Sequence, residues 1–268
     1  WVAPRGIVAA AVASVFALRL KERGVEAANR LVPVTLIVIL LTVTVYGLTA
    51  PWVARRLGVA EAFPQGILFA GAASWVRKLA LLLQREGIRV MLVDTNRAHI
   101  REARMAGLPT YAGSVLGEFT LDRIDFGGLG RLLAVTPNDW VNILAVRRFE
   151  RIFGRKECYQ LPPHHETDKP GARYAHLHGR LAFGERCHAA LLERRLREGF
   201  VFKATPLTET FDFETFRARY GPDTIVLFRR DGDGRLHVVT ADEELRPQPG
   251  ETLISLLREP EASNDSAP

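Results

Sequence analysis

Residues 31–54, LVPVTLIVILLTVTVYGLTAPWVA, hold no charged side chain, and Arg55 and Arg56 follow at once. About 20 apolar residues cross the hydrocarbon core of a bilayer, because a helix rises about 1.5 Å per residue through roughly 30 Å. The run therefore predicts a transmembrane helix. Residues 2–18, VAPRGIVAAAVASVFAL, form a second apolar stretch interrupted by Pro4 and Arg5. It is rich in the small residues that let helices approach closely in lipid. From about residue 65 on, the pattern becomes mixed and charged, so a membrane part precedes a soluble part.

Over 66–161 the periodicity alternates between that of strand and that of helix. GILFA (66–70) reads as a buried strand. Residues 74–87 read as a helix with Val76, Leu79, Ala80 and Leu83 on one face, closed by Gly87. RVMLV (89–93) is a strand ending at Asp94, and 97–107 is a helix. Strands are expected at 108–113, 131–136 and 156–161, with a helix at 138–154 whose apolar face is Val141, Leu144, Ala145 and Phe149. Such alternation predicts a parallel sheet covered by helices on both faces. Residues 162–200 open with PPHHETDKPGA and read as a linker and irregular segment. Residues 201–258 read as a small α+β unit, with strands at 201–205, 224–228 and 235–240, a DGDG turn (231–234) and a short helix at 212–221. The polar tail 259–268 is expected to be disordered. The fold class is thus mixed: transmembrane α-helices (1–58), an α/β Rossmann-like domain (65–161), then a small α+β C-terminal unit.

The 268 residues carry a formal charge of +6, and a mean hydropathy of +0.02 averages an apolar head with a polar body. The chain opens on Trp1 at the edge of an apolar stretch, which reads as a fragment of a longer protein. Arg-rich helix flanks and a basic cytoplasmic face account for the charge, so no nucleic-acid partner is expected. Cys158 and Cys187 make no disulfide framework and fit a reducing compartment. The link 19–30 carries Arg19, Lys21, Arg23 and Arg30. With a cytoplasmic body it would lie outside, against the preference of Lys and Arg for the inner side.

The loop Gly71-Ala72-Ala73-Ser74-Trp75-Val76 sits between a strand and a helix, where dinucleotide-binding folds carry G-x-G-x-x-G, and Asp94 ends the next strand. Gly71, Ser74, Asp94 and Asn96 are the candidate residues for binding an adenine nucleotide: AMP, ATP or NAD/NADH. Only the first glycine of the motif is kept. Ala73 replaces the one that admits the pyrophosphate, Val76 the one that allows close packing, and Trp75 is bulky. Crowding by Ala73 and Val76 predicts weak binding, or AMP over NAD. A scaffold kept for assembly is the other open reading. Arg5 within an apolar helix is costly unless paired or close enough to the helix end to snorkel. His164, His165, His176, His178 and His188, with Cys187, lack a standard metal-ligand spacing and read as solvated linker residues. Arg235 occupies a ligating position after DGDG, which leaves a turn and not a calcium loop. With no nucleophile, base and orienter in sight, the chain is not read as an enzyme.

The stretch P-R-G-I-V-A-A-A within 2–18 resembles the arginine-bearing helix near the end of the membrane domain in monovalent cation:proton antiporters of the sodium/proton exchanger superfamily. Residues 38–58 resemble the last helix of that domain. Residues 66–161 resemble an RCK (TrkA-N-type) regulatory domain, though Ser114 follows Gly113 where such domains often carry aspartate. The stretches 176–185, 204–221 and 245–257 resemble the tails of bacterial antiporters with this domain. The resemblance implies exchange of sodium or another monovalent cation for protons at the bacterial inner membrane, by a multi-pass and dimeric protein with a cytoplasmic C-terminal domain. Arg5 would then match the arginine that pairs with a buried acid. The ion-binding carboxylates would lie on earlier helices, outside this chain. The alternative is an RCK-type regulatory subunit of a potassium channel, or another membrane sensor that does not antiport.

Overall fold

The computed structural model describes residues 7–56, 64–163 and 179–259. The chain divides into two units, Trp1–Ala62 and Phe63–Pro268.

The first unit holds helix α1 (Ile7–Glu22), a single 3₁₀ turn (Glu26–Arg30) and helix α2 (Leu31–Arg56). At 26 residues, α2 is about 39 Å long. Among the described residues one helix is long and apolar enough to cross a membrane, with a mean hydropathy of 2.4. The described part of α1 has 16 residues, against the roughly 20 that cross a bilayer core. The hydroxyls of Thr35, Thr42, Thr44 and Thr49 each donate to the carbonyl four residues back, at 2.6–2.8 Å. Hydroxyls bonded in this way leave no donor unmet on an apolar face. The Arg56 guanidinium stacks on the Trp52 ring at 5.5 Å. Arg5 and the histidines at 164, 165, 176 and 178 lie outside the described residues.

The second unit begins with strand β1 (Gly66–Ala70), every residue of which is buried. This is the pattern of a strand covered on both faces. Next come α3 (Ser74–Arg85), β2 (Val90–Asp94), α4 (Arg97–Met105), β3 (Thr110–Ala112), the short α5 (Thr120–Arg123), β4 (Leu129–Ala134), α6 (Asp139–Phe153) and β5 (Cys158–Gln160). The sheet is parallel throughout, in the order β3-β2-β1-β4-β5-β6. This is the doubly wound order, and its switch point lies between β1 and β4. On α3, Trp75, Val76, Leu79, Ala80 and Leu83 are buried, the face its periodicity predicts. On α6 the buried face is rotated from the expected one: Asn142, Ile143 and Val146 turn inward and Leu144 is 53% exposed.

The reading of 162–200 as linker and irregular segment is corrected by two elements. Strand β6 (Arg180–Leu181) joins the parallel sheet as its sixth strand, and helix α7 (Ala189–Arg197) follows it. His188 is no loose linker histidine: its Nδ1 accepts the Leu191 N–H at 3.1 Å and caps α7. Among the described residues no metal-binding cluster forms.

The C-terminal sheet is antiparallel, in the order β7 (Val201–Pro206), β10 (Thr252–Leu257), β8 (Ile225–Arg230), β9 (Leu236–Val238), with α8 (Phe213–Tyr220) between β7 and β8. The turn after β8 is held by Asp231, whose Oδ1 accepts the N–H groups of Asp233 and Arg235 at 3.1 and 2.8 Å. Phe202, Leu227 and Leu256 share one apolar core with α3 and α7. The two sheets also join directly. Ala182 pairs with Thr240, and the Phe183 N–H donates to the Val239 carbonyl at 2.7 Å.

Candidate functional site

A cleft of about 650 Å³ opens at the C-terminal ends of β1, β2, β3 and β4. Ligands of open α/β sheets bind there, at the topological switch point. Gly71 leaves β1 at φ +119°, and a Cβ at that position would sit 3.3 Å from the backbone of Val135 and Thr136. Glycine is needed to turn the chain this close to the end of β4.

Beyond the turn, α3 begins without a side-chain cap. Its neighbours differ. Asn96 caps α4, its Oδ1 accepting from the N–H groups of Ala98 and His99 at 2.9 and 3.4 Å. Asn138 caps α6, accepting from Trp140 and Val141 at 3.0 and 3.2 Å. Of these three helix starts only that of α3 has no side-chain oxygen upon it, and a helix N-terminus attracts anions through its free N–H groups and its dipole.

Asp94 organises the loop. Its Oδ2 accepts the Ala72 N–H at 2.8 Å and meets His99 Nδ1 at 3.1 Å, while its Oδ1 accepts the Asn96 N–H at 2.8 Å. Arg77 Nη1 donates to the Ala72 carbonyl at 2.6 Å, and its other nitrogen pairs with Glu102 of α4. Both the N–H and the carbonyl of Ala72 are therefore held.

The far wall belongs to β4 and α7. Asn142, 1% exposed, accepts the Thr136 N–H at 2.9 Å and the Thr136 hydroxyl at 2.7 Å, and donates to the Thr136 carbonyl at 2.9 Å. This triple contact explains why a polar residue faces inward on α6 and displaces Leu144. From α7, Ala189, Ala190 and Glu193 reach the cleft.

Of the residues singled out in the sequence, Gly71, Asp94 and Asn96 line the cleft together. Ser74 is exposed and contributes no side chain to the wall. Asn96 is engaged as a helix cap. The expected crowding by Val76 is corrected: Val76 is fully buried and packs into the core away from the cleft. Trp75 does not block the phosphate turn either. It is fully buried, and it contributes to the wall. Ala73 is the loop substitution that faces the cleft from a half-buried position. Sequence reasoning missed Thr136, Asn142 and Glu193. Asn138 ahead of an apolar-periodic run carried a cap signal. Glu193 had none, because its helix was not foreseen.

Residues 67–160 match the TrkA-N domain family. No curated protein matches the chain. Among solved structures, the TrkA-N domain of the inner membrane protein ybaL from Escherichia coli is similar at 19% identity, covering 52% of this chain and 98% of that one, with a TM-score of 0.37. A structure described as the GsuK channel bound to NAD is similar at 12% identity over 88% of this chain and 47% of its own, TM-score 0.38. A putative NAD-dependent epimerase/dehydratase from Bacillus halodurans is similar at 16% identity over 37% of this chain and 51% of its own, TM-score 0.30. The chain thus spans about half the length of the last two. The second unit carries, over residues 67–160, a TrkA-N domain of Rossmann type.

Proposed function

We propose that this chain is the C-terminal part of a secondary transporter that exchanges sodium or another monovalent cation for protons, and that its TrkA-N domain is a cytoplasmic sensor of an adenine nucleotide. The observation that carries the sensor reading is the cleft at the switch point, where an uncapped α3 start faces a loop fixed by Asp94 and Arg77. Phosphate would lie on the N–H groups that open α3. The ribose would lie toward Asp94, whose oxygens already hold the loop and keep little acceptor capacity to spare. The chain contributes binding and positioning, and no reaction is assigned to it.

The transporter reading is supported by the uncharged run of α2 in the same chain and by the antiporter-like stretch around Arg5. In this reading Arg5 pairs with an acid on an earlier helix, the protein works as a homodimer in the bilayer, and nucleotide binding adjusts ion exchange. The experiment is a sodium-dependent dissipation of a proton gradient in inverted membrane vesicles bearing the complete gene product. Sodium-driven proton movement that AMP or NAD alters from the cytoplasmic side is the expected result. A potassium conductance without proton movement would replace the antiporter by the channel reading.

A further inference from the structure

The walls of the cleft have an unusual charge for a nucleotide site. Among the described residues that line it none is lysine or arginine, and two are carboxylates, Asp94 and Glu193. The two differ in what meets them. Asp94 accepts two backbone N–H groups and faces His99. Glu193 is half-buried, and among the described residues it makes no ion pair, although Arg194, Arg195 and Glu198, which follow it on the same segment, do. Its carboxylate thus lines the cleft without an ion-pair partner among the described residues. Backbone N–H groups at the start of α3 hold an anion of small charge, and among the described lining residues no lysine or arginine supplies a counter-ion for a larger one.

Position adds to charge. Asp94 ends β2, on one side of the switch point, and α7 arrives from β6, at the end of the sheet half on the other side. A dinucleotide laid across the switch point with its adenosine near Asp94 directs its second half toward the α7 side.

We propose that Glu193 is a specificity-determining residue that selects the ligand of this cleft by charge. It admits adenine ligands of low negative charge, favours the oxidised nicotinamide dinucleotide with its cationic ring over the reduced form, and turns away nucleoside triphosphates. The proposal rests on the nucleotide-sensor reading of the same cleft. A carboxylate near the ligand opposes each added phosphate and attracts a ring cation, with the weight that a partly buried charge carries at low effective dielectric.

The test is calorimetric titration of the full chain in detergent with AMP, ATP, NAD⁺ and NADH, without magnesium so that ATP keeps its charge. Wild type is compared with Glu193→Gln and with Glu185→Gln, an exposed carboxylate outside the cleft. AMP is expected to bind roughly tenfold more tightly than ATP, and NAD⁺ several-fold more tightly than NADH. Glu193→Gln should narrow both ratios, chiefly by raising ATP affinity, while Glu185→Gln leaves them unchanged. ATP bound as tightly as AMP by wild type, or ratios unmoved by Glu193→Gln in a protein with unchanged circular dichroism, overturns the charge selection and leaves the sensor standing. Binding of none of the four by the folded chain overturns the sensor reading and the selection with it.

Discussion

The Asp94 carboxylate accepts the backbone N–H of Ala72, 22 residues earlier, at 2.8 Å. The residue that ends β2 thus braces the loop between β1 and α3 from within the protein. Asp94→Ala should destabilise the second unit even without ligand, because the N–H groups of Ala72 and Asn96 lose their acceptor, at a cost of about 1–3 kcal/mol. Loss of nucleotide binding in that variant is then no measure of a ribose contact by itself. Asp94→Asn keeps an acceptor oxygen and should recover part of the stability. Urea denaturation of the three proteins without nucleotide reads the difference. Equal midpoints would mean that the brace contributes nothing.

Gly71→Ala should cost about 1–3 kcal/mol, since it places a side chain in a backbone conformation reserved for glycine. The new methyl group would also meet the backbone of Val135 and Thr136 at 3.3 Å. The damage falls on the approach between β1 and β4, so the melting temperature and the nucleotide affinity should drop together. An alanine variant with wild-type melting would show that the turn relaxes freely.

Asn142 holds Thr136 through three hydrogen bonds from a position 1% exposed. Asn142→Leu restores the apolar face that the periodicity of α6 suggests, yet it strips the Thr136 N–H and carbonyl of their partners. A loss of about 2–3 kcal/mol is expected despite the gain in hydrophobicity. Differential scanning calorimetry decides it, and a stabilised leucine variant would refute the hydrogen-bonded account of the β4–α6 turn.

Burial, with smaller contributions from Glu150 and Glu157, pushes the Cys158 thiol up to about 12, and burial alone does the same to Cys187. Both thiols should resist iodoacetamide in the native protein at mildly alkaline pH and react after denaturation, which mass spectrometry reads directly. The sign for stability follows. Between the ordinary thiol value near 9.0 and about 12, the folded state keeps protons that the unfolded state loses. Stability therefore falls as pH rises through that window, by about 1.4 kcal/mol per pH unit for each thiol. The variant carrying Cys158→Ala and Cys187→Ala should show a shallower alkaline slope than wild type.

The Rossmann core was legible because its signals are local. GILFA is a continuous apolar run, α3 keeps a clean helical face, and Gly87 closes it with a positive φ. What sequence could not reveal depended on partners distant in the chain. TLISLL (252–257) is too short for its period to separate strand from helix, and it became the centre of the second sheet only by pairing with β7 and β8 on its two sides. Strand β6 has two residues and exists through its bonds to β5 and to the 239–241 segment. In α7 the arginines masked a weak apolar spacing, and the cap came from a histidine, outside the usual set of capping residues. In the candidate site, Gly71 and Asp94 announced themselves by position. Thr136, Asn142 and Glu193 did not, because their roles come from β4, α6 and α7 meeting over the switch point.

A final prediction concerns the membrane. With α2 as a span, the two ends of its helix lie on opposite sides of the bilayer, so the link at 23–30 and the TrkA-N domain are separated by it. On the proposed nucleotide-sensor reading the domain lies in the cytoplasm, and the link then lies outside despite its arginines. Arg56 against Trp52 is a pairing suited to the interface at the cytoplasmic end, where an aromatic ring and a cation share the headgroup layer. In the complete gene product, a fluorescent reporter fused after Leu257 should mature, since it stays inside. An Arg23→Cys variant, exposed in this structure, should be labelled in whole cells by a membrane-impermeant maleimide, while the buried Cys158 and Cys187 remain silent. Labelling of Arg23→Cys only after the cells are opened would place the link and the domain on the same side, and α2 would not be a span.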